Sequence, residues 1–176
     1  MKNEKIDTLT LHTIAYFKGD PSSIQHFLKV HAFASLIGRK ENLPEKKQLI
    51  LEAAALVHDV GIPPAMAKYG SGSGNLQEKE GPPVARKLME SAGFSEEETE
   101  RVAYLVGHHH TYTEIDGPDY QILVEADFLV NLYEGGSSRE TIEATEKNIF
   151  RTKTGREILK RMFEKEKKEG TDPSRK

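Results

Sequence analysis

The stretch Leu49-Ile50-Leu51-Glu52-Ala53-Ala54-Ala55-Leu56-Val57-His58-Asp59-Val60-Gly61 decides the fold. From Leu49 to Val57 it is apolar apart from Glu52, and Ala, Leu and Glu all favour helix. Gly61, Pro63 and Pro64 then act as breakers, so His58 and Asp59 stand together at the helix's C-terminal end. An imidazole and a carboxylate closing an apolar helix are costly unless something binds them. Together they make a hard-cation site. A structural role competes with that reading, because a His near a helix C-terminus complements the dipole and an Asp there can bond the next turn.

Two other segments carry matching features. Ser22 to Ile37 has helical periodicity, and His26 falls on the stripe of Val30, Phe33 and Ile37, which directs it at the core. Tyr120 to Val130 places Asp127 about one turn after Leu123 and about one turn before Val130. A lone Asp on an apolar stripe needs a partner.

One His, a His-Asp pair and a distant Asp, each on its own helix, give the order H…HD…D across residues 22 to 134. This resembles the HD-domain superfamily of metal-dependent phosphohydrolases. His26-Phe27-Leu28-Lys29-Val30 is similar to the family's H-x-x-[RK]-V helix, and Ala54-Ala55-Leu56-Val57-His58-Asp59-Val60-Gly61 to its A-A-L-L-H-D-[IV]-G signature. The resemblance implies an all-α fold and a divalent cation held by His26, His58, Asp59 and Asp127. Nitrogen and oxygen ligands suit Mn, Fe, Co, Ni, Zn or Mg.

Relatives with two metals add His ligands on the helix that here delivers His108-His109-His110, which puts His108 first as a further ligand and His109 next. The expected set is therefore His26, His58, Asp59, His108 and Asp127 for one or two ions, with His58, Asp59, His108 and His109 catalytic. Two cations about 3.5–4 Å apart would clamp a phosphoryl group, whereas one orients substrate and acidifies water. The chain departs from the pattern twice. Gln77 stands where two-metal relatives often place a His four residues before Gly81, and Ile62 stands where many relatives place a phosphate-binding Lys. Lys29, Lys68 or Lys79 would then serve phosphate, so Lys29, Gln77 and Lys68 are the expected substrate contacts, while Glu78 and Glu80 are alternative carboxylates.

The implied reaction is hydrolysis of a phosphate monoester or diester, with a nucleotide as the leading small-molecule substrate. Two alternatives stay open: a di-iron oxygenase on the same scaffold, and a non-catalytic nucleotide or metal sensor.

The 176 residues, 36% hydrophobic and 30% charged, suit one domain over 1–176, with an HD-like core at about 22–134, added helices at about 138–168 and a polar tail at 170–176. A net charge of −3 gives no electrostatic reason to bind nucleic acid or an anionic membrane. With no Cys, thiolate metal sites and cysteine nucleophiles are excluded. Met1-Lys2-Asn3-Glu4-Lys5 leads into no long apolar run, so neither a signal peptide nor a membrane span is expected and the location is read as cytoplasmic. A homodimer is expected only from the general habit of soluble proteins.

Punctuation predicts helices near 4–18, from Pro21 to about 41, from Pro44 to about 58, after Pro82-Pro83 to about 91, from a capping box at Ser95-Glu96-Glu97-Glu98 towards His108, from Gly117-Pro118 to Gly135, and at 138–149 and 153–168. No β-type alternation competes. The run Lys165-Glu166-Lys167-Lys168-Glu169 reads as a solvated helix end. His31 competes with His26, but five residues turn a helix by about 140°, so only one faces the site. His26 has the family spacing, and His12 matches nothing. The loop Lys68-Tyr69-Gly70-Ser71-Gly72-Ser73-Gly74-Asn75 lacks the strand and the G-K-[ST] of a phosphate cradle and is read as a connector or a lid.

Overall fold

The computed structural model describes residues 2–164, and these form helices with no strand among them. In chain order they are α1 (Lys2–Tyr16), α2 (Pro21–Lys40), α3 (Glu45–Val57), α4 (Ile62–Tyr69), α5 (Gly74–Ser91), α6 (Glu96–Val106), α7 (Pro118–Glu134), α8 (Arg139–Asn148) and α9 (Lys153–Phe163). The charge run at 165–169, the tail from Gly170 and the far end of the last expected helix lie outside the described residues.

Helix α3 is the axis, touching α1, α2, α6 and α7. Its apolar residues point all round, as a helix enclosed on every side requires, and Leu51, Ala53, Ala54, Ala55, Leu56 and Val57 are fully buried. Burying each Leu contributes about 1.5–3 kcal/mol. Glu52 is tolerated because Gln48 Nε2 donates to it at 2.7 Å and His31 Nε2 lies 3.4 Å away. Burial works against its charge, yet the hydrogen bonds of His31 and Gln48 outweigh that and bring its pKa down to about 2. His31 is thus the partner of Glu52, and His12 pairs with Ser91.

Helix starts follow side-chain chemistry. Asp20 accepts from Ser23 N–H at the head of α2, where Pro21 sits in the first turn, and Ser95 and Glu98 close the expected capping box on α6. Two starts differ from expectation. Pro63 and Pro64 do not end structure but open α4, since the first turn of a helix has no intrahelical use for their missing N–H groups. Helix α5 begins at Gly74 and runs through Pro82 and Pro83 rather than starting after them. Proline inside a helix costs about 3 kcal/mol, which here is offset by packing of α5 on α4 and α6.

The HD turn closes directly onto α5. A Cβ on Gly61 would run into the Gln77 carbonyl, so only Gly lets these backbones meet. The run Glu45–Tyr69, across α3 and α4, reaches the length and apolarity of a membrane span, which the sequence reading did not expect, but 67% of its apolar window is buried inside the protein. At the C-terminal side, buried Glu125 of α7 accepts from Arg151 N–H at 2.7 Å, Thr152 N–H at 2.9 Å and Gln121 Nε2 at 2.8 Å. It docks α9, while α8 buries none of its residues.

Candidate metal centre

Three rings converge because each spends its Nδ1 proton elsewhere. His58, just past the end of α3, gives Nδ1–H to the Ala55 carbonyl at 2.9 Å. His109, in the turn after α6, gives it to the Val106 carbonyl at 2.9 Å. His26 of α2 gives it to the Glu134 carboxylate at 2.8 Å. A carbonyl or carboxylate only accepts, so in all three neutral rings Nε2 is the bare nitrogen. All three Nε2 atoms lie around Asp59.

The distances are those of a donor cluster. His26 Nε2 is 3.2 Å from His58 Nε2, 3.2 Å from Asp127 Oδ1 and 3.3 Å from Asp59 Oδ2. His58 Nε2 lies 3.3 Å from Asp59 Oδ2 and 3.5 Å from Asp127 Oδ1. On the far side His109 Nε2 is 3.6 Å from Asp59 Oδ1, buried and with no hydrogen-bond partner among the described residues. Two sets, His26-His58-Asp59 and Asp59-His109-His110, each bring their donor atoms within 4.8 Å of one another.

The electrostatics favour a cation. Burial opposes charge on His58, but Asp59 beside it and the hydrogen bond to Asp127 prevail and hold its pKa well above the usual imidazole range. His26 is raised in the same way, mainly by Asp127 against the cost of burial. Burial would also lift the two carboxyls, yet the neighbouring His rings keep Asp59 and Asp127 well below the ordinary carboxylate range. The field that draws protons onto the rings would equally draw a divalent ion. With the buried Asp127 and half-buried Asp59 carboxylates, two facing imidazole nitrogens and an orphaned His109 Nε2, the residues present fit such an ion.

A family profile, the HD domain, matches residues 23–140, more than half of the chain. The chain is an HD-domain protein. It belongs to the HD superfamily of metal-dependent phosphohydrolases, whose members bind divalent metals. No curated protein matches the chain in sequence.

In this HD domain the expected residues are not all brought together. His26, His58, Asp59 and Asp127 meet as described. His108 does not join them, which corrects the expected order of the two His: its Nδ1–H goes to the Tyr104 carbonyl at 2.7 Å and its ring stacks on Tyr104 at 4.1 Å. Helix α6 ends at Val106, so the three His lie in a turn and point three ways. Lys29 is drawn to Glu134 at 2.7 Å and Lys68 to Glu80 at 3.1 Å, while Lys79 lies over the Tyr69 ring. None of the three lines the cavity over the cluster, which corrects the expected phosphate contacts. Gln77 does line it.

That cavity, about 250 Å³, is bordered by Ser22, Ser23, Ile62, Gln77, His110, Asn131 and Glu134. Besides Ser22 and Ser23, three of its residues are not legible as site residues in the sequence. Asn131 donates to Asp127 Oδ1 at 2.8 Å, Glu134 fixes His26, and His110 sits beside Gln77. Asn131 and Glu134 follow Asp127 by four and seven residues on α7, a helical spacing that places all three on one face. Glu78 ligates nothing: it accepts from His110 N–H at 3.0 Å and Thr111 Oγ1–H at 2.9 Å and pins the His turn.

Proposed function

We propose that this protein hydrolyses a small-molecule phosphate monoester or diester at a divalent-cation centre held by His26, His58, Asp59 and Asp127. The observation that carries the reading is the convergence of these four side chains beneath a polar cavity that His26, Asp59 and Asp127 line. When bound, the cation, one of Mn, Fe, Co, Ni, Zn or Mg, would acidify water and stabilise charge on phosphoryl oxygens.

The chain's own groups supply the rest. His109 keeps Nδ1 protonated against Val106 and so holds a bare Nε2 beside Asp59 Oδ1, where it would act as the base for a water brought to that carboxylate. Asp59 orients that side, with Oδ1 turned to His109 and Oδ2 to His26 and His58. Ser22 and Ile62 form part of the cavity wall, one polar and one apolar. No Lys or Arg lines the cavity among the described residues, so recognition of a second phosphate is not built into its walls. At about 250 Å³ it takes the phosphoryl end, with the leaving group outside, and nucleoside monophosphates head the substrates to screen.

The test is turnover of p-nitrophenyl phosphate, bis(p-nitrophenyl) phosphate and nucleoside monophosphates by the metal-reconstituted full chain. Activity that a chelator abolishes and Asp127→Ala removes is the expected result. Tight cation binding without turnover of any phosphoester would leave a metal sensor instead.

A further inference from the structure

Asp59 is shared between two donor groups, with His26 and His58 at its Oδ2, His109 at its Oδ1, and His110 grouped with His109. Proximity alone would give the second group its own cation. The hydrogen bonds of His110 oppose that. Gln77 directs its amide nitrogen to the Gly72 carbonyl at 2.7 Å, an acceptor only, so its amide oxygen is what faces His110 Nε2 at 3.0 Å. An amide oxygen has no proton to give, and therefore His110 Nε2 carries one, in the neutral ring and the charged ring alike. A nitrogen that holds a proton has no lone pair for a metal, and the ring's other nitrogen, Nδ1, is turned to the Tyr112 hydroxyl at 3.5 Å.

Neither partner is free to turn. The His110 ring packs on His109 at 3.9 Å between centroids and on the start of α5, where a Cβ on Gly74 would lie 2.9 Å from His110 Cγ. Its backbone N–H is held by Glu78. The Gln77 backbone is held where Gly61 closes on its carbonyl, and its side-chain amide is held by the Gly72 carbonyl. We infer that Gln77 locks His110 as a hydrogen-bond donor and so limits this protein to one resident divalent cation, in the group of His26, His58, Asp59 and Asp127.

The inference rests on the reading that this group holds a divalent ion. It makes His110 Nε2–H a fixed donor in the cavity wall and leaves His109 Nε2 free as a base. A single-cation centre serves hydrolysis and lacks the second iron that a di-iron oxygenase needs.

Elemental analysis of the full chain, reconstituted separately with Mn, Fe, Co, Ni and Zn, tests this beside Gln77→His and His110→Gln. About one equivalent is expected in wild type and in His110→Gln, rising to about two in Gln77→His, where an imidazole replaces the amide that holds the His110 proton. Two equivalents in wild type would overturn the inference, and loss of the second in His110→Gln would place that ion on His110. Should Gln77→His fail to fold, ring 15N–1H correlation spectra of the wild type decide. A proton on His110 Nε2, assigned by its loss in His110→Gln, supports the lock, and a proton on Nδ1 overturns it. No bound cation at all would sink the metal centre and the inference together, while one cation without turnover would sink only the phosphoester reaction.

Discussion

Glu134 Oε2 lies 2.8 Å from His26 Nδ1, and this carboxylate, not the backbone, decides which nitrogen of His26 faces the centre. His58 and His109 are oriented by carbonyls of their own chain segments, but His26 sits in mid-helix, where every nearby carbonyl is engaged. Its orientation is therefore borrowed from the end of α7, where Lys29 also holds Glu134 at 2.7 Å.

Removing that partner should loosen the cation without unfolding the protein. Glu134→Ala is expected to weaken divalent-metal affinity about 10–100-fold, with Glu134→Gln recovering part of the loss because its amide oxygen still accepts from Nδ1. Competition with a chromogenic chelator reads both. Wild-type affinity in Glu134→Ala would remove this residue from the centre.

Adjacent histidines should separate cleanly. His109→Ala is expected to retain the bound cation and lose about 10²–10⁴-fold in kcat, as loss of a general base does, with KM little changed. His108→Ala should keep kcat close to wild type, since its ring is spent on Tyr104. Metal content and steady-state kinetics on the two variants make the comparison. The opposite pattern, with His108 the costlier loss, would reverse the roles assigned from their hydrogen bonds.

What the sequence disclosed follows periodicity. His26, Asp127 and the His58-Asp59 pair stand on or at the ends of apolar helices, where position in the chain fixes direction in space, and all four meet. The His run lies beyond the last turn of α6, where no period links residue number to direction, so the choice between His108 and His109 could not be read from spacing. The places of Lys29 and Lys68 are hidden from the sequence for another reason. Their long stems reach carboxylates on other helices, Glu134 and Glu80, whose nearness only tertiary structure reveals. Likewise Pro82 and Pro83 signal a helix boundary locally, and packing of α5 against its neighbours overrides that signal.

Glu125 anchors the C-terminal helices and offers the clearest stability test. Its Oε1 takes the N–H groups of Arg151 and Thr152 and the Gln121 amide, its Oε2 takes the Thr152 hydroxyl at 2.5 Å, and a Cβ on Gly155 would strike it. The side chain is completely buried, so truncation strands several donors away from water. Glu125→Ala is expected to cost about 3 kcal/mol, the upper end for unsatisfied buried polar groups. Urea unfolding measures this directly. Trypsin provides a second, local reading: once α9 is undocked, the chain at Arg151, Lys153 and Arg156 should be cut well before Arg86 or Arg101, which remain in packed helices. If Glu125→Ala unfolds at the wild-type urea concentration and resists trypsin at Arg151, then α9 is held by Phe150 and Leu159 in the core, and the carboxyl is not its anchor.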